Sequence, residues 1–455
     1  MNSFKIPIIS FFTGLFTRGH ERSVKAKKNI LYSAIIRGCS IAISLLLVPL
    51  TINYVNPTRY GVWLTLSSII GWFGFFDIGF GNGMRNKFAE AMAKGEHELA
   101  RIYVSTTYGI LSIIIGSVLV IFLCINPFLN WSRILNTPVD MAGELSVLAL
   151  IVFSFFCIQF VLQLITTILT ANQEPAKASF FNLLGSLFSL LIIYILTRTT
   201  SGNLIYLGTT LGLAPVLVLA TSSLWFYNHE YKKYAPSVRY VKFSYARDLM
   251  TLGFKFFFIQ IASIVIYQTS NIIIAQLFGP TQVTPFNIAY KYFNVISMGF
   301  GIIVMPFWSA FTEAWTKKDT PWIKNAVKRL VQLWALLSIV TLIMLVFSNI
   351  IYKLWVKEIV VPLSISIVMA LYVILNAWCG IFSHFLNGIG KIKLQLYIGA
   401  FGAIINIPLS IYLGKHLGIY GVVLSTTILA IISAVWSPIQ YLKLINNKAT
   451  GIWNK

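Results

Sequence analysis

The sequence predicts an all-α integral membrane protein of about twelve transmembrane helices arranged as two pseudo-symmetric six-helix bundles. Three observations carry that expectation. Of 455 residues, 57% are hydrophobic and only 11% charged, against about a quarter charged in soluble domains. The apolar residues fall into runs of about 20, the length a helix needs to cross a bilayer, and no stretch remains for a large soluble domain. The chain also repeats itself. Asn56-Pro57-Thr58 is answered by Gly279-Pro280-Thr281, and FAEAMAKGE from Phe88 by FTEAWTKKD from Phe311, both at an offset of 223 residues.

Residues 1–28 hold a short apolar run, Ile6 to Phe16, followed by Arg18, Arg22, Lys25, Lys27 and Lys28. The run is too short to span and no small-residue cleavage site follows it. It reads as an interfacial helix lying on anionic headgroups. A first lobe, 29–227, is expected to hold spans near 29–53, 60–83, 102–125, 143–170, 178–197 and 203–227. A basic cytoplasmic linker, 228–248, carries Lys232, Lys233, Arg239, Lys242 and Arg247. A second lobe, 249–443, repeats the pattern near 249–277, 284–310, 327–350, 360–384, 395–414 and 418–441, and a cytoplasmic tail, 444–455, ends the chain. The second and eighth helices are expected to continue through Phe88–Lys94 and Phe311–Lys317. Trp72, Trp131, Trp308, Trp315, Trp322 and Trp355 fall near helix ends, which suits interfacial belts.

Orientation follows from charge. With both termini cytoplasmic, most of the 35 lysines and arginines lie on that side, and the outer loops keep only Arg59, Arg133, Arg198, Lys353, Lys357 and Lys415. This is the positive-inside asymmetry, and inverting the topology violates it at nearly every loop. It also accounts for a net charge of +22 without nucleic acid as a partner. An even number of spans per lobe makes the repeat parallel, about an axis along the membrane normal.

Charged groups inside the spans are costly and mark candidate sites. They belong to the first two helices of each lobe: Arg37 and Asp77 in one, Lys255 and Lys291 in the other. Together they favour a cationic cavity between the lobes for a phosphorylated or otherwise anionic substrate. Each cation has a plainer reading, snorkelling to the headgroups. Asp77 either neutralises Arg37 or Arg85, or binds a proton or sodium, or gates the cavity. After it come Gly79, Gly81 and Gly83, which serve as a hinge or as close-packing sites, and the polar Asn82, Arg85 and Asn86. Gln260, Gln268, Asn271, Asn287 and Asn294 read as interhelical hydrogen-bonding groups before ligand contacts. Cys39, Cys124, Cys157 and Cys379 lie in apolar runs without metal-site spacing, and the five histidines are scattered, so no metal is expected. No GxxxxGK[ST], HExxH or GxSxG pattern is present. The chain is therefore expected to be no enzyme and to need no cofactor, drawing on a proton or sodium gradient, the membrane potential or product consumption.

The run YGVWLTLSSIIGWFGFFDIGFGNGMRNKFAEAMAKGE, Tyr60 to Glu96, behind a first helix NILYSAIIRGCSIAISLLLVPLTINYV, resembles the Wzx-type polysaccharide-repeat-unit flippases of the multidrug/oligosaccharidyl-lipid/polysaccharide exporter superfamily. The likeness is motif-specific over residues 29 to 100 and extends through topology over most of the chain. It implies a V-shaped pair of six-helix bundles alternating between inward-open and outward-open states in the bacterial cytoplasmic membrane. The implied cargo is an oligosaccharide linked through diphosphate to a polyprenyl lipid, moved outward for O-antigen or capsule assembly. Polysaccharide polymerase and chain-length machinery would be its partners. On that resemblance Arg37, Lys255 and Lys291 would meet the diphosphate or acidic sugars, and Asp77, Asn82 and Arg85 match the DxGxGNGxR-like segment. A multidrug antiporter of the same superfamily is the nearest rival, but its cationic drugs call for carboxylates, and Asp77 stands against three basic groups. A membrane glycosyltransferase or polymerase would need a larger outer loop than 126–142. A structural scaffold would leave the buried charges unexplained.

Overall fold

The structure is a computed structural model that describes residues 21–77, 79–172, 174–250, 268–305, 307–357 and 359–454. Its elements are helices: α1 (Glu21–Val55), α2 (Pro57–Gly71), α3 (Phe80–Lys94), α4 (His97–Ile125), α5 (Ala142–Leu162, continued by Leu164–Ala171), α6 (Pro175–Thr199) and α7 (Leu204–Asn228) in the first half. The second half has α8 (268–278), α9 (Val283–Val304), α10 (Phe307–Thr316), α11 (Thr320–Val356), α12 (Leu363–Gly388), α13 (Lys393–Leu417) and α14 (Ile419–Ile445). Among the described residues nine helices are long and apolar enough to cross a membrane. The three expected spans missing from that set are the second, the seventh and the eighth. Most of the seventh lies outside the described residues.

The second and eighth are interrupted, which corrects the expectation of continuous helices. After α2 the chain tightens into a 3₁₀ turn, Trp72–Asp77, and α3 restarts behind Gly79, whose φ of 81° is left-handed. Only glycine adopts that conformation without strain. α9 likewise ends at Val304 and α10 begins at Phe307. The two interruptions lie within about one helical turn of each other at the 223-residue offset, and interrupted helices in both halves are a pattern of repeat-built transporters.

The 223-residue offset extends to individual hydrogen bonds. Asn56 and Gly279 share one unusual backbone conformation, φ 75° and ψ 165° against φ 87° and ψ 158°. Gly95 and Lys318 both turn left-handed. Each helix end closes in the same way: Glu96 N–H donates to Ala91 O at 2.9 Å and Asp319 N–H to Ala314 O at 2.8 Å. Phe88 and Phe311 are both fully buried. A left-handed residue followed by a backward N–H bond satisfies carbonyls that a helix end would otherwise strand.

Helices in lipid gain little from apolar burial against one another, so close approach of small residues and polar bonds hold them. Gly208 of α7 lies where a Cβ would meet Leu148 and Val152 of α5, and Gly83 where one would meet the Leu249 carbonyl. Two of the tryptophans expected in belts are internal braces. Trp131 is buried and donates to Asn126 Oδ1 at 2.9 Å. Trp355, half-buried, donates across the halves to Leu45 O at 2.9 Å.

Candidate functional site

The two halves meet along α2 and α9, and the contact is tight at one end. Thr58 and Thr281, equivalent residues in the repeat, bond to each other through their hydroxyls at 2.9 Å, so the pseudo-twofold axis passes between them. Thr284 donates to Pro57 O at 2.6 Å. Its equivalent, Gly61, lies so close to the Pro280 carbonyl that a Cβ would stand 1.8 Å from the oxygen. Deeper along the seam Asn287 Nδ2 donates to Asn271 Oδ1 at 2.7 Å, and Asn271 Nδ2 to Ser68 Oγ at 2.8 Å. Asn136 Nδ2 adds a bond to Ala275 O at 2.9 Å. All of this lies toward the face bearing the loops poor in lysine and arginine, which the charge distribution assigns to the outside. That half of the seam is closed by polar contacts.

Toward the other face the two halves together line a cavity of about 530 Å³, within the range of small-ligand clefts. α1 lines it with Arg37, Ser40, Ile41 and Ser44, spaced to share one face of a helix. α9 contributes Met298, Gly301, Ile302 and Met305 with the same spacing; Trp308 of α10 and His384 of α12 complete the wall. Arg37, half-buried, sits about 27 Å along α1 from Val55 at 1.5 Å per residue. Its Nη1 lies 3.5 Å from Met305 Sδ, and among the described residues it has no acidic partner. A guanidinium against a thioether keeps nearly all its donor capacity. His384 Nδ1 bonds to Gly380 O at 2.7 Å, and its ring meets Trp308 edge-on at 6.0 Å. None of the lining residues is acidic. The cavity therefore offers one planar cation in an apolar surround, suited to an oxyanion with an organic portion.

The other expected site residues are not gathered there. Lys291, also half-buried, lies on the closed part of the seam, its Nζ 3.5 Å from Tyr60 Oη. Lys255 and Gln260 lie outside the described residues. Asp77 ends the 3₁₀ turn and Asn82 sits in the first turn of α3, and their side chains lie outside what is described. Arg85 is exposed. Of the glycines, Gly79 makes the break, whereas Gly81 and Gly83 stand in regular helix, Gly83 in close packing. Sequence reasoning missed Met305, Trp308 and His384. Their only signal was the i, i+3, i+4, i+7 run of small and soft residues ending at Met305, and it becomes visible once α9 is known to face α1.

This fold of broken helices, duplicated halves and a central seam is that of membrane transporters of the MOP superfamily. An inward-facing multidrug resistance MATE family transporter superposes with a TM-score of 0.74 at 13% identity, covering 92% of this chain and 100% of that one. An outward-facing MATE family transporter superposes at 0.66 with 15% identity, covering 95% and 98%. The family model described as "Polysaccharide biosynthesis protein" matches residues 26–311, and a second, MatE, matches 255–412. The chain belongs to the polysaccharide biosynthesis protein family, and its resemblance to Wzx-type flippases of the MOP superfamily holds. Its relatives include the "Putative O-antigen transporter" of Salmonella typhimurium, 23% identical over 86% of this chain and 90% of that protein. Another is the "Putative O-antigen export protein" of Yersinia pseudotuberculosis, 19% identical over 87% and 91%. The protein is a multi-pass membrane transporter of the polysaccharide type.

Proposed function

We propose that this protein is a non-enzymatic flippase that carries polyprenyl-diphosphate-linked oligosaccharide repeat units across the bacterial cytoplasmic membrane for O-antigen or related surface polysaccharide. The observation that carries the reading is Arg37, a cation without an acidic partner among the described residues, in an apolar cavity on the open side of the seam. A diphosphate takes charge-assisted hydrogen bonds from a guanidinium, and the apolar surround offers it no competing charge. On this reading the seam closed at Thr58–Thr281 corresponds to an inward-open state, and alternating access then requires the Thr58–Thr281 end to part while the Arg37 end closes. Polymerase and chain-length machinery would receive the cargo. A proton or sodium gradient is the proposed energy source, with Asp77 as a candidate coupling group.

The test is translocation of a defined lipid-linked oligosaccharide in proteoliposomes. Arg37→Ala is expected to lower the rate at least tenfold with folding unchanged, and Arg37→Lys to retain part of it, since a point charge replaces a fork. Full activity in Arg37→Ala removes that side chain from the mechanism. Transport of cationic drugs without movement of the glycolipid would favour the multidrug reading instead.

A further inference from the structure

The connector between the halves carries features that transport of the cargo does not use. It lies along α4, held at several points. Arg101 Nε donates to Ala235 O at 3.1 Å and its guanidinium stacks 4.3 Å from the Tyr240 ring centre. Ser237 N–H donates to Ser105 Oγ at 3.1 Å, and Lys242 N–H to Thr106 Oγ1 at 3.0 Å. Val241 packs where a Cβ on Gly109 would touch it. Arg101 is the last charged residue of α4, so Thr106 and Gly109 stand about 7 and 12 Å further toward the membrane interior at 1.5 Å per residue. Thr106 thus falls in the layer where amphipathic segments sit, about 5–10 Å into the boundary between headgroups and acyl chains, with Gly109 just beneath it.

At this depth the connector turns outward the side chains that a water-exposed loop would hide. Val238 is 90% exposed and Phe243 60% exposed. Lys232, Lys233, Arg239, Lys242 and Arg247 are exposed around them, and none forms an ion pair among the described residues. The acidic residues of the segment are Glu230, paired with Lys177 at 2.9 Å, and Asp248. Two exposed apolar side chains among five exposed cations in one short segment match one surface: acyl chains beneath anionic headgroups, with about 1 kcal/mol per basic residue near the surface.

We propose that the connector is an anionic-phospholipid binding site, in which Val238 and Phe243 enter the bilayer while Lys232, Lys233 and Arg239 hold lipid phosphates. The experiment uses the full chain in nanodiscs of phosphatidylcholine, with and without phosphatidylglycerol, and reads amide hydrogen exchange over residues 236–246. Phosphatidylglycerol is expected to slow exchange there several-fold. The combined variant Lys232→Gln, Lys233→Gln and Arg239→Gln is expected to abolish the slowing and to match the unsubstituted protein in phosphatidylcholine alone. Equal exchange in the two bilayers overturns the proposal, as does slowing that survives in the variant. Slowing by glycerol 3-phosphate in phosphatidylcholine nanodiscs also overturns it, since that would mark a free-anion site. None of these outcomes bears on whether Arg37 meets a diphosphate.

Discussion

Arg37 and Gly61 are each defined by what stands beside them. Arg37 was legible as a candidate because charge inside an apolar span is expensive wherever it occurs, and no further structure is needed to notice it. Its neighbours were not legible. Trp308 sits near a helix end and reads as a belt residue, and His384 is one of five scattered histidines. Only the convergence of α1, α9, α10 and α12 brings them to one cavity. Lys291 shows the converse, since its sequence signal equals that of Arg37 while the seam places it among closed contacts. Gly61 carries the sharpest steric demand. With a Cβ 1.8 Å from the Pro280 carbonyl, Gly61→Ala requires the halves to separate locally, at about 1–3 kcal/mol. The expected result is faster maleimide labelling of Thr281→Cys in a background without the native cysteines. Unchanged labelling would show that the seam absorbs the methyl group.

At the scale of elements, hydropathy located the helices well, because membrane spans are set by local composition and length. It ran a span through Gly79, where only the glycine run marked a possible hinge, and through 305, where apolar composition continues. The connector was legible as basic and polar but not as docked, because its partners Ser105 and Thr106 are ordinary residues of an apolar helix. Its start is fastened by Tyr231, a buried side chain whose hydroxyl donates to Glu174 at 2.9 Å and accepts from Asn172 at 2.7 Å. Tyr231→Phe leaves both partners short of a bond and is expected to cost about 1–3 kcal/mol, read as a lower Tm in detergent. Burial first, and then the Glu174 carboxylate, push the Tyr231 phenol well above its ordinary range. A raised folded value means that the stabilisation is complete below about pH 10 and is lost as pH climbs through the folded value. Tyr231→Phe should therefore flatten the alkaline limb of the stability profile, and an unaltered limb would assign that loss to other groups.

For the whole molecule, the repeat was the most informative thing in the sequence, since one offset related two corners and two helix ends before any contact was known. What it could not supply was which end of the seam is shut, because parallel halves are compatible with either. The bond between Thr58 and Thr281 decides that for this state, and it makes a direct test. A Thr58→Cys/Thr281→Cys pair in a background without the native cysteines is expected to form a disulfide on oxidation and to stop transport, with recovery on reduction. Transport that persists with the bridge formed would mean that the outer corners need not part.

Side chains differ at half of the positions matched in these two motifs while the backbone conformation agrees at the turns: asparagine against glycine at one corner, glycine against lysine at one helix end. That is the signature of tandem gene duplication followed by drift. Because Thr58 meets its own counterpart on the axis, a half-length ancestor would have assembled as a homodimer with that threonine touching its twin. After fusion each copy would be free to diverge, and at the 223-residue offset Arg37 now stands opposite Gln260 in the sequence.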